Sequence, residues 1–334
     1  MYKKIFIICI SLIFSLVSFE LFLKFSPFEY GVSPVVYDKK IGMWHKKNFE
    51  NHVIRECYRT KYIFDNKGLP VNIDRYDKSK KDVILLGDSF IEALMVENEN
   101  IIHNSLSKEF QNKYNFMNYG LSGSSPIQQF VILKDKVDLN NTKHIIQFIN
   151  LEGDLLDADR KNLDFLARPK VHVEFESLEK YSILFPRKKM IYDDITDFLG
   201  NYQVFFFLKK SLYYLRDNII GSTNKIIVEK IKKKKKLDLS KNWLNLKGSL
   251  YQINKLIKAN DIKIKYIVII KSINNENSLT LKEFFIEKNI DFIFLNELVK
   301  KMNLKLESFK CDGHWNDSAH KNIAKIIKTM NLID

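Results

Sequence analysis

The chain has 334 residues, a formal net charge of +14 and an apolar fraction of 46%. This length is sufficient for one large α/β domain or two smaller ones, and the apolar fraction is ordinary for a globular protein. The charge suits nucleic acid, an acidic glycan or an anionic membrane. However, lysine, isoleucine and asparagine are abundant throughout, which indicates a compositional bias equally well. No basic stripe interleaved with aromatic residues and no nucleic-acid motif occurs, so we expect no nucleic-acid partner.

An apolar segment follows the basic N-terminus. Residues 5–25 are apolar apart from serines, one cysteine, one glutamate and one lysine, and their number is close to the ~20 that a membrane-spanning helix needs. Because no small-x-small cleavage site follows, the pattern favours an uncleaved signal anchor over a cleaved signal peptide. Lys3 and Lys4 indicate a cytoplasmic N-terminus. We therefore expect residues 1–25 to form a cytoplasmic stub and a transmembrane anchor, with the remaining chain outside the cytoplasm.

Beyond an irregular arm at residues 26–80, strand-like and helix-like patterns alternate. The run Val83–Leu86 is apolar and β-favouring, which is typical of a strand buried on both faces. Repeated βα alternation predicts a mostly parallel sheet with helices on both faces, in one domain at residues 81–334. Further strands are expected at 116–119, 144–149, 264–270 and 290–295, and helices at 100–114, 126–133, 244–259, 279–288 and 320–330.

Residues from about 158 to 241 interrupt this alternation. They contain two aromatic segments, Val204–Leu208 and Leu212–Leu215, and a run of lysines at 232–236. The pattern favours a helical insertion packed on the domain, with a solvated charged loop. The alternative is an apolar helix that lies on an anionic membrane surface.

Two short stretches carry candidate catalytic groups. Ser89 lies on a strand-to-helix turn, at the carboxyl end of the predicted sheet and near a helix N-terminus that favours developing negative charge. A Gly-Asp-Ser turn is also common for purely structural reasons. Asp312 and His314, two residues apart before the last predicted helix, supply the base that a serine nucleophile needs and an anion to orient that base. No Cys/His cluster has zinc-like spacing, so we expect no metal and no cofactor.

Three blocks of the sequence resemble the SGNH/GDSL hydrolase family. They are Ile84–Phe90, Asn118–Gly123 and Asp312–Asn316, and the resemblance runs from about residue 82 to the C-terminus with gaps. It implies a flavodoxin-like three-layer α/β/α sandwich. It also implies that Ser89 is the nucleophile, that His314 is the base oriented by Asp312, and that the amides of Ser89 and Gly123 bind the oxyanion.

The third block of that family departs from the pattern. The family has an asparagine whose amide donates to the oxyanion, but Gly153 stands at that place in this chain. Asn150 lies three residues earlier and would face the wrong way on a regular strand, although a bulge or turn could bring it in. Loss of one oxyanion donor typically costs ~10²–10³ in rate. The enzyme is therefore slower, uses Asn150, or relies on the two backbone amides.

The N-terminal half resembles one bacterial, extracytoplasmic branch of the same family, through Asp38–Gly42 and Asn66–Leu69. That branch is associated with acylation or deacylation of cell-envelope glycans. The resemblance implies a single-pass protein of the bacterial inner or cytoplasmic membrane that hydrolyses an O-acyl ester, with O-acetyl favoured, on a glycan or lipid. The alternatives are an O-acyltransferase with the same acyl-enzyme and a catalytically weak glycan- or lipid-binding protein.

The chain has three cysteines: Cys9 in the anchor, and Cys57 and Cys311 in the remainder. In an oxidising compartment Cys57 and Cys311 could pair and tie the arm to the Asp312–His314 stretch. Two buried thiols that act as small apolar groups are the slightly favoured alternative.

Overall fold

A computed structural model describes residues 2–25, 33–159, 169–209, 211–212, 215, 239–270 and 275–333. All other residues lie outside the described part of the chain. They include the lysine run at 232–236, for which a solvated charged loop is expected. The elements in chain order are α1 (Tyr2–Phe25), β1 (Val35–Asp38), β2 (Gly42–His45), β3 (Phe49–Arg55), β4 (Tyr58–Phe64), β5 (Asp82–Leu86), α2 (Ser89–Glu92), a 3-10 turn (Asn98–Asn100), α3 (Ile102–Glu109), β6 (Asn115–Asn118), α4 (Pro126–Lys136), β7 (Thr142–Asn150), α5 (Leu151–Asp157), β8 (His172–Phe175), β9 (Tyr181–Leu184), α6 (Ile191–Leu199), α7 (Leu239–Ala259), β10 (Lys263–Ile269), α8 (Glu276–Glu287), β11 (Phe292–Phe294), α9 (Leu295–Lys301) and α10 (Asp317–Thr329).

The central sheet has five parallel strands in the order β6-β5-β7-β10-β11. Counted along the chain these strands have the order 2-1-3-4-5, which is the flavodoxin-like arrangement. The predicted mostly parallel sheet is confirmed. In this arrangement the strand order reverses between β5 and β7, and the carboxyl ends of these two strands border the crevice where such folds bind ligands.

Helices cover both faces of the sheet. Alternate residues of β5 point to opposite sides of the sheet and so pack against both layers of helices. Val83 and Leu85 belong to one apolar cluster, while Ile84 and Leu86 belong to the other. All five residues of β5 are buried. This gives the predicted three-layer α/β/α sandwich. The first cluster includes Leu106 of α3 and Ile323 of α10, and the second includes Ile132 of α4 and Leu250 of α7.

The predicted irregular arm contains two antiparallel strand pairs, β1 with β2 and β3 with β4. Trp44, His45, Tyr62 and Phe64 are buried, so the arm packs on the domain rather than extending from it. Gly68 follows with a positive φ of 78°, and a Cβ there would lie 2.7 Å from the His45 carbonyl oxygen. Glycine is therefore required at this close approach.

The described part of the insertion is not wholly helical, which corrects the expectation from sequence. It contains the antiparallel hairpin β8–β9 before α6. Val171, Val173 and Phe175 are all buried, and these apolar residues alternate with polar ones along the sequence, which is the pattern of a strand. The aromatic segment at 204–208 is helical as expected.

α1 is 24 residues long and reaches a mean hydropathy of 2.5 over its most apolar window. Among the described helices it is the one that is long and apolar enough to cross a membrane, a test that signal sequences also pass. Most of its side chains face away from the rest of the chain, for example Phe14 with 72% exposed.

Candidate active site

The turn that carries Ser89, the predicted nucleophile, connects β5 to α2 and is called here the nucleophile turn. Gly87 ends the strand, and a Cβ at this position would lie 2.3 Å from Cγ1 of Ile91, so no larger residue fits without a shift. The Asp88 carboxylate then accepts a hydrogen bond from the Phe90 amide at 2.9 Å, which caps the short helix. Ser89 is consequently held at the first position of α2, at the carboxyl end of the sheet.

The structure brings Ser89, His314 and Asp312 together. The Ser89 hydroxyl Oγ lies 2.8 Å from Nε2 of His314. Oδ1 of Asp312 accepts a hydrogen bond from the His314 amide at 3.0 Å and lies 3.4 Å from the His314 ring Nδ1. The second distance is longer than a normal hydrogen bond. Gly313 has a φ of +77°, which lets the loop fold the His314 ring back toward Asp312.

Two aromatic contacts support the His314 loop from the nucleophile side. The Phe90 ring packs against the His314 ring with centroids 5.0 Å apart, and against the Trp315 ring at 4.8 Å. Phe90 immediately follows Ser89 in sequence. The same short helix therefore positions both the hydroxyl and the imidazole that contacts it.

The arm supplies a residue that the sequence reasoning missed. The Tyr58 hydroxyl donates a 2.7 Å hydrogen bond to Oδ2 of Asp312. Burial, followed by the Asp312 carboxylate, raises the pKa of Tyr58 to about 12, so this hydroxyl keeps its proton. Burial opposes ionisation of Asp312. The hydrogen bonds from Tyr58 and from the His314 amide outweigh it, and the pKa of Asp312 lies below its ordinary value.

A disulfide lies beside this contact. Cys57 and Cys311 are bonded with their Cα atoms 5.9 Å apart, so the favoured expectation of two free thiols is wrong. The pairing joins the residue before Tyr58 to the residue before Asp312. Because the two cysteines are far apart in sequence, only the packing of the arm on the domain brings them into bonding range.

The Gly123 loop follows β6 and is held against the nucleophile turn. The amide of Leu121 and the hydroxyl of Ser124 both donate to the carbonyl oxygen of Gly87, at 3.1 and 3.0 Å. Asn118 donates its side-chain amide to the Ile91 carbonyl at 2.7 Å. Gly123 has a φ of +70°, and its carbonyl oxygen accepts a hydrogen bond from the Lys170 ammonium. These contacts orient the peptide groups of the loop.

Asn150 faces the nucleophile turn. It is the last residue of β7, and its side-chain amide donates to Oδ2 of Asp88 at 3.1 Å. The backbone leaves the strand at this residue and enters α5 directly, which is the turn that brings the side chain in. A Cβ at Gly153 would lie 3.0 Å from the Asn150 amide nitrogen. Asn150 thus lies beside the place where the family's asparagine was expected.

Two carboxyl groups lie at this end of the sheet, the partly buried Asp88 and the fully buried Asp154. Burial raises the pKa of Asp88. Burial, followed by the neighbouring Asp88 and Asp157 carboxylates, raises the pKa of Asp154 well above its usual range. Burial and the neighbouring negative charges thus both favour the neutral form of Asp154.

A buried pair links the arm to the Gly123 loop. Nε2 of His45 lies 2.6 Å from Oε1 of Glu92, and Nδ1 lies 2.9 Å from the Gly68 carbonyl oxygen. Since a carbonyl only accepts, Nδ1 carries a proton, and a second proton lies between Nε2 and Glu92. Oε2 of Glu92 accepts from the Ser122 amide at 3.1 Å and from its hydroxyl. Sequence reasoning missed this pair because no motif joins its members.

An apolar pocket, called here the Gly123 pocket, opens beside the loop. It has about 560 Å³ of empty space including its mouth. Its polar lining comes from Glu92, Ser122, Ser124, Gln128 and Lys170. The other lining residues include Val35, Ile41, Met43, Leu94, Leu121, Gly123 and Pro169.

Within the described residues, no group of three or more His, Cys, Asp or Glu side chains is placed to hold a metal ion.

No family model and no curated protein matches the chain. Among solved structures, a lipolytic protein of the G-D-S-L family from Desulfitobacterium hafniense matches 75% of this chain and 98% of its own, with 13% identity and a TM-score of 0.39. A lipase/acylhydrolase from Enterococcus faecalis matches 75% and 94%, with 10% identity and a TM-score of 0.38. An acetyl xylan esterase matches 76% and 100%, with 11% identity and a TM-score of 0.39. These proteins are of the esterase and acylhydrolase kind that the motifs resemble.

Proposed function

We propose that this chain is a serine esterase of the SGNH/GDSL type that hydrolyses an O-acyl ester. The observation that carries the proposal is the 2.8 Å contact between Ser89 Oγ and His314 Nε2. It occurs at the carboxyl ends of β5 and β7, where flavodoxin-like sheets bind ligands. A serine hydroxyl in contact with an imidazole is the arrangement that nucleophilic acyl transfer requires.

In the proposed reaction Ser89 Oγ attacks the acyl carbonyl carbon while His314 Nε2 accepts the hydroxyl proton. Asp312 stabilises the imidazolium that forms. The amides of Ser89 and Gly123 donate to the oxyanion, and the Asn150 side chain is a candidate third donor. His314 returns the proton to the leaving alkoxide. Water then attacks the acyl-enzyme with His314 again acting as base, which releases the acid and restores Ser89.

We further propose that residues 1–25 anchor the protein through residues 5–25, that 26–80 is an arm, and that 81–334 is the catalytic domain with its insertion at about 158–241. The catalytic domain would then lie outside the cytoplasm of a bacterial cell. The disulfide between Cys57 and Cys311 supports this location, because disulfides persist in oxidising compartments. The substrate would be an acylated glycan or lipid of the cell envelope.

The test is hydrolysis of p-nitrophenyl acetate together with labelling by a fluorophosphonate probe. We expect Ser89→Ala and His314→Ala each to lower kcat by about 10³-fold or more, and Ser89→Ala to abolish labelling. Ser182→Ala, which removes an exposed serine of β9, is the matched control and should retain both. Turnover by Ser89→Ala at the wild-type rate would reject the proposal. Transfer to an added glycan acceptor in preference to water would identify an acyltransferase.

A further inference from the structure

α6 exposes an apolar stripe formed by Ile191, Ile195 and Phe198. Their exposed fractions are 79%, 50% and 61%, and their spacing places them on one face of the helix. Asp193 lies away from the stripe and binds Arg187 at 2.6 Å, whereas Asp194 flanks the stripe, three residues after Ile191 and four before Phe198, and binds Lys189 at 2.5 Å. The helix is therefore amphipathic with part of its acidic charge neutralised, and its apolar stripe is largely exposed in the part of the chain that the structure describes.

The chain just after α6 contacts the end of the candidate anchor. The Glu20 carboxylate of α1 accepts hydrogen bonds from the amides of Gln203 and Val204, at 3.1 and 2.9 Å. It thereby caps the helical segment 203–209, which follows α6 closely. The ring of Phe19 also packs on Phe207 with centroids 5.2 Å apart. Glu20 is five residues before the end of α1, which is about 8 Å along the helix axis. If α1 spans a membrane, segment 203–209 lies at the level of its boundary.

A groove extends from this boundary to the Gly123 pocket. It lies between α6 and segment 203–209 and has about 1390 Å³ of empty space including its mouth, far more than an acetyl group occupies. Val35 and Met43 line this groove and also the Gly123 pocket. The two spaces therefore meet at these side chains. The groove is also lined by Tyr192, Thr196, Phe205, Phe206, Leu208 and Leu212.

We propose that the stripe of α6 lies in the extracytoplasmic leaflet and that the groove admits the apolar tail of a membrane-embedded ester to Ser89. The route to the ester rests on the proposed function, whereas the position of α6 does not. Burial of Ile191, Ile195 and Phe198 in lipid supplies the driving force. Because the acids of α6 are paired in part with basic residues, docking should depend only weakly on anionic lipid.

The position of α6 is tested with the full chain reconstituted in phosphatidylethanolamine vesicles that contain lipids brominated on their acyl chains. Phe198→Trp adds a fluorophore to the stripe. Ile286→Trp adds one to α8, at a residue with a similar exposed fraction of 63%. After subtraction of the wild-type signal, we expect quenching of the added tryptophan to be about twofold or more stronger at 198 than at 286. Equal quenching at the two positions would overturn the proposal.

The route is tested with two esters and the double variant Ile195→Asp/Phe198→Asp, with Ile286→Asp as the matched control. We expect hydrolysis of vesicle-embedded p-nitrophenyl palmitate to fall about tenfold or more in the double variant. Hydrolysis of p-nitrophenyl acetate in water should stay within about twofold, since Ser89 is untouched. Equal loss on both esters, or loss on neither, contradicts the route. If the wild type hydrolyses neither ester, the esterase proposal fails and quenching alone decides the position of α6.

Discussion

The two carboxylate oxygens of Asp312 have different partners. Oδ1 faces the His314 amide and ring, while Oδ2 accepts the Tyr58 hydroxyl. Tyr58 contacts neither Ser89 Oγ nor a reacting atom, so it is a positioning residue that acts through Asp312. Its hydrogen bond favours the ionised carboxylate and restricts the rotation of that side chain.

We expect Tyr58→Phe to lower kcat about five- to tenfold with little change in KM, since it removes one hydrogen bond to a charged group. The pKa of Asp312 should rise when this bond is lost, so the loss of activity that follows protonation of this carboxylate should begin at higher pH. Steady-state kinetics from pH 3 to 8 measure both effects. Tyr251→Phe removes a hydroxyl bonded to Glu179 and is the control. An unchanged profile would show that Tyr58 does not act through Asp312.

Asn150 allows a second test at the same scale. If its amide is an oxyanion donor, Asn150→Ala should lower kcat about 10²–10³-fold, with KM nearly constant and fluorophosphonate labelling slowed. Asn141 lies just before the opposite end of β7, and its amide donates to Asp82 at 3.0 Å. Asn141→Ala is therefore a control for the cost of losing a polar amide near this strand. Equal kcat for the two alanine variants would leave Asn150 with only its contact to Asp88.

The candidate residues differ in how far sequence reveals them. Ser89, Asp312 and His314 lie in short motifs, and the resemblance of these motifs to a known family selected them as candidates. Tyr58 and the His45–Glu92 pair act across the fold, and no local pattern joins Tyr58 to Asp312, 254 residues apart. Such contacts depend on how the arm packs on the sheet.

At the scale of elements, local sequence patterns predicted the sheet correctly but did not predict the structure of the insertion. The βα alternation predicted the parallel sheet correctly because short, mostly apolar, β-favouring runs recur between the helical patterns. The hairpin β8–β9 was missed, although Val171, Val173 and Phe175 alternate with polar residues. The neighbouring aromatic helical segments drew the interpretation toward a helical insertion, and short strands are weak signals beside them.

The disulfide fastens β4 to the His314 loop, with Tyr58 and Asp312 next to the bonded cysteines. We expect Cys57→Ser/Cys311→Ser to lower both Tm and kcat, because the loop and the arm then separate more easily. Thermal unfolding and p-nitrophenyl acetate kinetics measure these changes. Cys9→Ser removes the free cysteine of α1 and should change neither. If dithiothreitol leaves the wild type unaltered in both measurements, the bond does not support the site.

At the scale of the whole molecule, two buried histidines lie in the layer that contains α3 and α10. Burial lowers the pKa of His103 to about 4. Burial, followed by the nearby His103, lowers the pKa of His320 to about 3. Below the ordinary value of about 6.5 the unfolded chain takes up protons that these folded side chains do not. Folding stability should therefore fall as pH drops from about 6.5 toward 4, by about 1.4 kcal/mol per pH unit for each histidine.

His320→Leu should remove one histidine's share of this dependence. Both ring nitrogens of His320 are buried with no hydrogen-bond partner among the described residues, so an apolar replacement should cost little at pH 8. Urea unfolding from pH 8 to 4.5 measures the slope, and the difference at pH 8 isolates the effect of packing. A slope equal to that of the wild type would contradict the assignment of acid sensitivity to His320.

All five strands of the central sheet lie between Cys57 and Cys311. Oxidised protein is thus a covalent ring that encloses the sheet, with α1 and α10 attached as tails outside it. A single peptide-bond cut anywhere in the ring leaves the two pieces joined, so proteolysis alone does not release them. Closure of a loop with a sequence separation of 254 also restricts the unfolded chain, by about 5 kcal/mol on the chain-entropy model. At the proposed location outside the cytoplasm, where proteases act and chaperones that use ATP are absent, this topology would keep a nicked candidate site in one molecule.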